Sequence, residues 1–529
     1  MKRKKLLLVF PKSLSVGFDD VENIRSLTGR SGLMNASLAT IAALTASDFD
    51  VKIIDENLEA IDFDEPFDLV GITGFYLHIG PAARIARKFR KRNVKVVCGG
   101  PSVSVSPDRW RPFADVLIIG EAERVWPEFI ADYMAGCAKS EYRETERLDL
   151  SISRVPDYSG YSEFSKRRYL GGIVQTSRGC PFDCEFCQVI VYMGRKMRFK
   201  PVEVIIGEVE QMRKMGMKVV FLADDNFYAG RGHSKEILRA LREWNLRQRK
   251  PLAFVTQASI DMADDEEFLQ LATEAGLNRV MVGIESPNTE SLREVHKVQN
   301  LRSNVIGDLK RFSEYGILVL ATTMIGFDHD DLSVFQQQFD FFMRTGVVIA
   351  QPFPLHAMDG TPLKERMVKE GRYLNWNPFE ERERIYNFNI YTMRPKQMTV
   401  TQLRQGILWL VKNLYEPENV VPRLREFFEA FEKSPQKKRL RISSRGIDRE
   451  SLGVLGRLLR YALTQAPSEE RSSLREMMRL AARSSHPQRF EIAITSFLGA
   501  KSMKDILLQI DPDPDASQYP VPLETGPAS

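Results

Sequence analysis

The sequence predicts an α/β protein that has two successive strand–helix regions and a mainly helical C-terminal region. Apolar, strand-like runs alternate with helix-like runs from residue 6 to about residue 352. Four helix-like runs of the second region end at a glycine, shortly before the next apolar run. Such alternation favours parallel sheets with helices packed on both faces. From about residue 353 only helical periodicity continues, which indicates a change of architecture.

The totals indicate more than one domain and no membrane-spanning segment. At 529 residues the chain is too long for one ordinary core, so we expect two or three domains. Its 43% apolar and 27% charged residues are typical of a globular protein. No apolar run reaches the roughly 18 residues that a membrane span needs. The basic start and the short apolar run at 6–10 predict a buried strand rather than a signal peptide.

Cysteine content and charge restrict the compartment and the partners. Five cysteines, three of them clustered, do not suggest a disulfide framework and predict a reducing, cytoplasmic location. The net charge of +5 gives no reason to expect nucleic acid as a partner. Peripheral contact with a membrane stays open.

Residues 1–136 predict a parallel sheet with a ligand-binding edge. We expect its strands at 6–10, 51–54, 69–73, 94–98 and 116–119. Ligands of such sheets bind at the carboxyl ends of the strands, where glycine lets a large flat molecule approach the backbone. A single such glycine is more often a turn residue, but here small or polar residues recur after three strands. They are Thr73, Gly74, Gly99, Gly100, Pro101, Ser102, Gly120 and Glu121.

Residues 171–353 predict a second sheet of six βα units, after a polar, turn-rich connector at 137–170. We expect its strands at 171–176, 219–222, 252–256, 279–283, 318–324 and 347–352. Six units rather than eight predict an open partial barrel, and the active sites of such barrels lie at the carboxyl ends of the strands. The residues that follow those strands include Asp224, Asp225, Asn226, Gln257, Ser259, Glu285 and Gly326.

The rest of the chain predicts a mainly helical C-terminal domain at 354–510, with helices at 402–413, 420–433, 451–463 and 472–484. The tail at 511–529 is rich in Pro, Asp and Ser and predicts disorder.

Three cysteines within eight positions, Cys180, Cys184 and Cys187, indicate a metal centre in the loop after the first strand of the second sheet. Thiolates bind soft metals. A structural zinc ion would need a fourth Cys or His, usually in a second paired motif, and none follows. A [4Fe–4S] cluster normally takes four thiolates, so three leave one iron open to a further ligand.

The spacing C-x3-C-x2-C, with Phe186 just before the last cysteine, resembles the signature of radical SAM enzymes. The resemblance implies that Cys180, Cys184 and Cys187 hold a [4Fe–4S] cluster and that S-adenosylmethionine (SAM) chelates the open iron. Phe186 would then contact the adenine, and Asp224, Asp225 and Asn226 would occupy the place of a Gly-Gly-Glu-like motif, whose glycines are absent here. Gln257, Ser259 and Glu285 would lie near the ribose and methionyl groups. Gly326 would belong to the adenine-contacting backbone.

The N-terminal region resembles the cobalamin-binding domain of one large radical SAM subfamily, through residues 68–73, 99–102 and 120–123. The Asp-x-His-x-x-Gly motif of other cobalamin enzymes is absent, and His78 is the only nearby candidate for a lower axial ligand. The run from Thr176 to Cys187, the run 224–227 and the helical C-terminus look most like the hopanoid methylases. The fold implied is a Rossmann-like cobalamin-binding domain, a partial (β/α)6 barrel and a helical C-terminal domain.

The function implied by the resemblance is radical methylation of an unactivated carbon, with cobalamin as the methyl donor and a hopanoid-like lipid as the leading substrate. A polar natural product stays open, as does a cyclase or ring-rearranging enzyme of the same architecture. A reductant such as flavodoxin or ferredoxin would be required. Two other candidate functions stay open: a cobalamin- or redox-sensing protein with a structural cluster, and a tRNA methylthiolase. The modest charge and the lack of an evident basic β-barrel argue against the last.

Overall fold

The computed structural model describes residues 3–12, 15–16, 30–376, 385–386, 390–438 and 449–510. The tail predicted to be disordered from residue 511 lies outside the described residues. Within them, the mixed α/β architecture with a helical C-terminal region is confirmed.

The first sheet has six parallel strands, five of which the sequence predicts. Their spatial order is Phe49–Asp55, Lys4–Phe10, Leu69–Thr73, Lys95–Gly99, Val116–Ile119 and Glu141–Arg143. Leu6 and Leu8 of the second of these strands join one buried core, whereas Leu7 and Val9 join another on the opposite face. Both faces are therefore covered, which explains why this strand shows no polar alternation. The covering helices include Ala36–Leu44, Ile79–Arg90 and Ala122–Ala135, and the short helices Pro101–Val105 and Pro107–Trp110 lie between strands.

The second sheet is an open, curled half-barrel of seven parallel strands. Their order is Ser31–Met34, Tyr169–Val174, Val219–Leu222, Ala253–Gln257, Leu277–Glu285, Leu318–Ile325 and Ile349–Pro354. The last six are the six predicted units. The main connecting helices are Val202–Lys214, Arg231–Leu246, Glu266–Ala275, Thr289–Glu294, Val305–Glu314 and Val334–Met343.

The seventh strand, Ser31–Met34, comes from the N-terminal part of the chain and is not predicted by the sequence. It pairs with Tyr169–Val174, with Leu33 opposite Gly171 and Met34 opposite Gly172. A Cβ atom at Gly172 would lie 2.0 Å from Met212 Sδ on the helix behind the sheet, so a larger residue here would displace that side chain. The predicted connector 137–170 likewise contributes the edge strand Glu141–Arg143 to the first sheet. The domain boundaries at 136, 170 and 353 stay a prediction.

The C-terminal region packs on the last strand of the half-barrel. Its helices are Pro362–Lys369, Val400–Tyr415, Pro417–Lys433, Arg449–Thr464, Ser468–Arg483 and Arg489–Ile510. The Tyr415 hydroxyl donates to the Ala350 carbonyl at 2.7 Å and accepts from its N–H at 3.0 Å. Across the described residues, no helix is both long enough and apolar enough to span a membrane.

Candidate active site

The cysteine loop begins at a turn that only glycine can make. Gly179 has φ +94°, and a Cβ atom there would lie 2.6 Å from the Lys196 carbonyl oxygen. Cys184 is buried, while Cys180 and Cys187 are partly exposed. The Cys187 N–H donates to the Cys184 carbonyl at 3.0 Å, which turns the chain between these two cysteines. The three thiols therefore occupy one compact loop at the carboxyl end of the half-barrel.

Three thiols in one loop suit an iron–sulfur cluster with one open iron, whereas a structural zinc ion usually takes four protein ligands. Among the residues that the structure describes, no three Cys, His, Asp or Glu side chains are placed to hold a single metal ion. A cubane cluster binds each cysteine through a different iron, so its thiolates lie further apart than the ligands of one ion. Burial raises the pKa of the Cys187 thiol to about 11, and the positive charge of Lys297 partly opposes that shift.

Lys297 is a site residue that the sequence analysis missed. Its Nζ lies 2.6 Å from Glu285 Oε1, and the two side chains are only 12% and 7% exposed. Burial lowers the pKa of Lys297, but the Glu285 carboxylate and the Cys184 thiol more than offset this, so the pKa is raised and the amine is charged. Nζ also lies 5.9 Å from the centre of the Phe186 ring. The structure thus brings together Glu285, Phe186 and a cation beside the cysteine loop.

Glu285 holds a strained backbone conformation. Its φ of +62° lies in the left-handed region, which is unfavourable for a residue with a long side chain. Such conformations persist where the surroundings impose them, often at ligand sites. The ion pair to Lys297 is the contact that directs this carboxylate toward the cysteine loop.

The run Asp224-Asp225-Asn226 joins the cysteine loop to the neighbouring strands. Asp224 Oδ1 accepts from the N–H groups of Thr176 and Ser177 at 2.7 and 2.8 Å. Asp225 accepts from the Gly179 N–H at 3.0 Å, and burial raises its pKa to about 6. The Asn226 amide donates to Ser259 Oγ at 3.0 Å. The Asp224 carboxylate is therefore used to position the loop, while Asp225 lines a large cavity.

Gly326 ends the fifth predicted strand with φ +112°. Its N–H and that of Phe327 donate to Asp330 Oδ2 at 2.9 and 3.1 Å. Burial raises the pKa of Asp330 to about 6. This turn lies at the same end of the half-barrel as the cysteine loop, as the sequence predicts.

The candidate cobalamin residues lie at the carboxyl edge of the first sheet, but they differ in what they face. The cavity is lined by Thr73, Gly99, Gly100, Pro101, Gly120 and Glu121, and Gln257 of the half-barrel lines it as well. Gly74 and Ser102 do not line it. The Ser102 hydroxyl instead accepts from Trp110 Nε1 at 3.1 Å, and a Cβ atom at Gly74 would lie 2.6 Å from His78 Cβ. Both residues therefore support the edge of the sheet without lining the cavity.

Glu121 connects the first sheet to the segments on either side of the cysteine loop through two arginines. Its Oε2 accepts from Arg178 at 3.1 Å and from Arg198 at 2.8 Å. Arg178 also pairs with Glu123 at 2.5 Å. Since Arg178 stands two positions before Cys180, this network fixes the cysteine loop relative to the carboxyl edge of the first sheet. The carboxylate of Glu121 is thus engaged within the protein.

His78 lines the cavity beside that edge and is kept neutral. Burial lowers its pKa to about 4, although a hydrogen bond from Phe75 raises it slightly. Nδ1 accepts that bond from the Phe75 N–H at 3.1 Å, so the ring hydrogen lies on Nε2. Nε2 finds no other partner within the described part of the protein. In this tautomer Nε2 is a hydrogen-bond donor rather than a metal ligand.

Arg366, from the C-terminal region, holds the cysteine loop from the other side. Its guanidinium donates to both oxygens of Glu185 at 2.8 Å, in the bidentate geometry that suits a carboxylate. It also donates to Glu294 and Asp328, each at 3.0 Å. Glu185 stands between Cys184 and Phe186, so helix Pro362–Lys369 fixes the loop directly.

One cavity of about 1350 Å³ joins the carboxyl edge of the first sheet to the interior of the half-barrel. Pockets for one small ligand usually measure about 300–1,000 Å³, so this cavity has room for more than one. The three cysteines do not line it, but Gln175, Arg178, Tyr192 and Asp225 around their loop do.

Comparison with known proteins shows the family. The model of the radical SAM superfamily matches residues 174–341, and that of a domain of unknown function (DUF4070) matches residues 361–508. The uncharacterized methyltransferase sll1242 of Synechocystis is 30% identical over 381 residues, which cover 70% of this chain and 69% of that protein. Hopanoid C-2 methylase of Rhodopseudomonas palustris is 29% identical over 385 residues, 70% and 71% of the two chains.

Two solved structures share the fold. The radical SAM methyltransferase TsrM of Kitasatospora setae, solved with cobalamin and a [4Fe–4S] cluster, has a TM-score of 0.54 at 18% identity and covers 70% of this chain and 78% of its own. The cobalamin-dependent SAM radical enzyme OxsB has a TM-score of 0.57 at 16% identity and covers 96% and 80%. These identities show the fold alone. With the superfamily model and a methyltransferase at 30% identity over two thirds of each sequence, the chain belongs to the radical SAM methyltransferases.

Proposed function

We propose that the protein uses cobalamin to methylate an unactivated carbon of a hydrophobic substrate, with a hopanoid-like lipid as the leading class. The observation that carries this is the single cavity between the glycine-lined edge of the first sheet and the apolar interior of the half-barrel. It gives a methyl donor and a substrate one shared space, whose lining includes Arg178, Tyr192 and Asp225 around the cysteine loop.

The residues present fit the three groups. Cys180, Cys184 and Cys187 would hold a [4Fe–4S] cluster, and the charged Lys297 beside them would pair with the carboxylate of SAM. Phe186, Asp225, Gln257 and Gly326 would surround the rest of SAM. Cobalamin would lie along Thr73, Gly99, Gly100, Pro101 and Gly120. When bound, these cofactors supply the radical that removes hydrogen and the methyl group that replaces it.

The contribution of the protein is positioning and exclusion of water. The Glu121–Arg178 pair holds the cysteine loop against the carboxyl edge of the first sheet, so that both cofactors would face the same space. Lys297 stays paired with Glu285 in a buried setting, where electrostatic contacts are stronger than in water. The neutral His78 would offer an Nε2–H donor to the cofactor edge.

Two relatives support a hydrophobic substrate and differ in its identity. Hopanoid C-2 methylase is named for a lipid. Bacteriochlorophyllide d C-12(1)-methyltransferase of Chlorobaculum tepidum, 25% identical over 435 residues, covering 80% of this chain and 90% of that protein, is named for a tetrapyrrole. Both names are those of methyltransferases, so the cyclase reading is not favoured. A cytoplasmic location and a flavodoxin or ferredoxin as reductant belong to this proposal.

The test is product analysis with the reconstituted protein. Incubated with SAM, hydroxocobalamin, a reductant and a hopene, so that SAM is the only source of the methyl group, it should form 5′-deoxyadenosine, S-adenosylhomocysteine and a methylated hopene. Cys184→Ala should form deoxyadenosine and methylated hopene at least a thousandfold more slowly than the wild type, because the cluster loses a ligand. Deoxyadenosine without homocysteine formation would overturn methyl transfer, and methylation of a tetrapyrrole alone would overturn the lipid.

A further inference from the structure

The interior of the half-barrel is hollow along its whole length. Phe221, Val255, Met281 and Leu320 come from four adjacent strands and line the cavity. They remain partly exposed, although the residues next to them in sequence, such as Val220 and Phe254, are fully buried under the outer helices. In a closed eight-stranded barrel such inward side chains fill the centre. Here they surround a space that the side chains do not fill.

The hollow extends far beyond the cofactor end. Leu252 stands just before strand Ala253–Gln257 and Gln257 ends it, and both line the cavity. The five steps of extended chain between them span about 17 Å. One leaflet of a membrane has a hydrocarbon depth of roughly 15 Å, half of a bilayer core. The interior is therefore long enough for the apolar body of a lipid.

The C-terminal region closes the amino end of this hollow. Phe490, Ile494 and Leu498 of helix Arg489–Ile510 follow one another at four-residue spacing and line the cavity. The opposite face of the helix, with Ile492 and Met503, is buried against its neighbouring helices. A helix that is apolar on both faces needs both faces shielded from water. Neighbouring helices shield one face, and the other face lines the cavity.

Polar contacts attach this helix to the barrel. Arg279, at the start of its strand, donates to Glu491 at 2.8 Å and to Thr495 at 3.3 Å. Asn278 donates to Gln488 at 2.5 Å. These contacts hold the first turns of the helix against the amino ends of the strands, so the position of Ile494 and Leu498 is defined by the barrel itself.

We infer that the amino half of the barrel is a binding chamber for the apolar body of an elongated substrate, and that helix Arg489–Ile510 sets the length it accepts. The inference rests on the proposed function, because it assumes that the substrate enters from the cofactor end. It assigns to the C-terminal region a role in substrate selection.

Binding of a chain-length series tests the chamber. Holoprotein reconstituted with cluster and cobalamin is titrated with primary alcohols of increasing length, by displacement of a fluorescent long-chain alcohol. Each buried methylene should tighten wild-type binding about fourfold until the hollow is filled. Leu498→Trp and the milder Leu498→Phe should bind short alcohols with wild-type affinity. Their affinity should stop rising at a shorter chain length than in the wild type, and this length should be shortest for the Trp variant. Leu463→Trp, at a 77% exposed position of the neighbouring helix, is the matched control.

The results separate the chamber from the proposed chemistry. The proposed chamber would be overturned if the affinity of the wild type did not depend on the chain length of the alcohol. It would also be overturned if the Leu498 variants had the same length limit as the wild type. Both Leu498 variants must retain wild-type iron and cobalamin content, which shows that they fold. If one of them does not, Ile494→Phe is used in its place. If the length limit shifts as expected while no substrate is methylated, the chamber stands and the proposed function fails. If a substrate is methylated but binding shows no length limit, the proposed function stands and the chamber fails.

Discussion

The two ends of the half-barrel are built from different interactions. At the carboxyl end, charged groups from different segments are paired, as in Glu121–Arg178, Glu185–Arg366 and Glu285–Lys297. At the amino end, apolar side chains surround an open space, and Arg279–Glu491 is the ion pair that joins helix Arg489–Ile510 to the sheet. Directional contacts fix a geometry, whereas apolar walls accept many molecules of suitable shape.

This difference indicates that the two ends of the half-barrel have different roles. The carboxyl end must hold reactive groups in one arrangement, because small displacements reduce rates strongly. In the binding chamber that we propose, the amino end needs only to bury hydrocarbon, for which the interaction is non-directional. Variants that break contacts at the carboxyl end should therefore affect the cluster and the fold, while variants at the amino end should leave both largely intact.

Arg366→Met, at the carboxyl end, should have the largest effect. It removes the bidentate partner of Glu185 and the partner of Glu294 and Asp328 at once. The side chain is 24% exposed, so we discount the cost of a fully buried pair to about 1–3 kcal/mol of unfolding free energy. Iron content per chain should fall by at least half. Denaturant titration and iron analysis measure both.

Lys369→Met, on the exposed side of the same helix, is the control for Arg366 and should change neither quantity. Arg366→Lys should recover little, because an ammonium group cannot make the two parallel bonds to Glu185. A variant at Arg366 with normal stability and full iron content would contradict the role of this contact in holding the loop.

Asp330→Asn should change the pH dependence of stability at the carboxyl end. Burial raises the pKa of Asp330 from 3.8 to about 6, with Glu294 adding a smaller increase. The folded protein then keeps a proton that the unfolded chain releases, so this contribution is complete below about pH 4 and is lost as pH rises through 6. The loss is at most about 3 kcal/mol.

Asparagine resembles the protonated acid, since its carbonyl can accept from Gly326 and Phe327 while its amide donates to Ser291. Denaturation midpoints measured between pH 4.5 and 7 should therefore decline with pH less steeply for the variant than for the wild type. Equal slopes would show that Asp330 is ionised throughout this range in the folded protein.

Arg279→Met, at the amino end, should have the smallest effect. Its partner Glu491 has a side chain that is 44% exposed, so water solvates that carboxylate when the arginine is removed, and the cost should be below about 1 kcal/mol. Glu491→Ala should cost more, about 1–2 kcal/mol, because it leaves the buried guanidinium without its carboxylate. Iron and cobalamin content should be unchanged in both. Loss of either cofactor would contradict the separation of the two ends.

Local patterns predicted most of the architecture. The strands of both sheets are short apolar runs, and the turn glycines lie where the helices end, so periodicity within a few residues sufficed. The missed strand Ser31–Met34 is too short and mixed in composition to be recognised alone, and it forms because Tyr169–Val174 offers an unpaired edge. The helix Arg489–Ile510 was not predicted separately, since it is apolar on both faces and lacks the usual alternation.

The candidate site divides in the same way. Cys180, Cys184 and Cys187 are recognisable because their spacing is local, and Glu285, Gln257 and Gly326 because they end predicted strands. Lys297 and Arg366 carry no local signal, and Arg366 acts on Glu185 across 181 positions of sequence. Pairing over such a distance depends on how helices and strands pack, which periodicity does not describe.

By itself, the sequence determined the two strand–helix regions, the helical C-terminal region and the position of the cysteine loop, because each depends on residues close together in the chain. Only the tertiary structure decided that Glu121 holds the cysteine loop through Arg178, that Lys297 faces this loop, and that the barrel interior stays hollow down to Leu498. The physical reason is that charge pairing and cavity shape depend on distances in space. Those distances are set by the packing of all elements together.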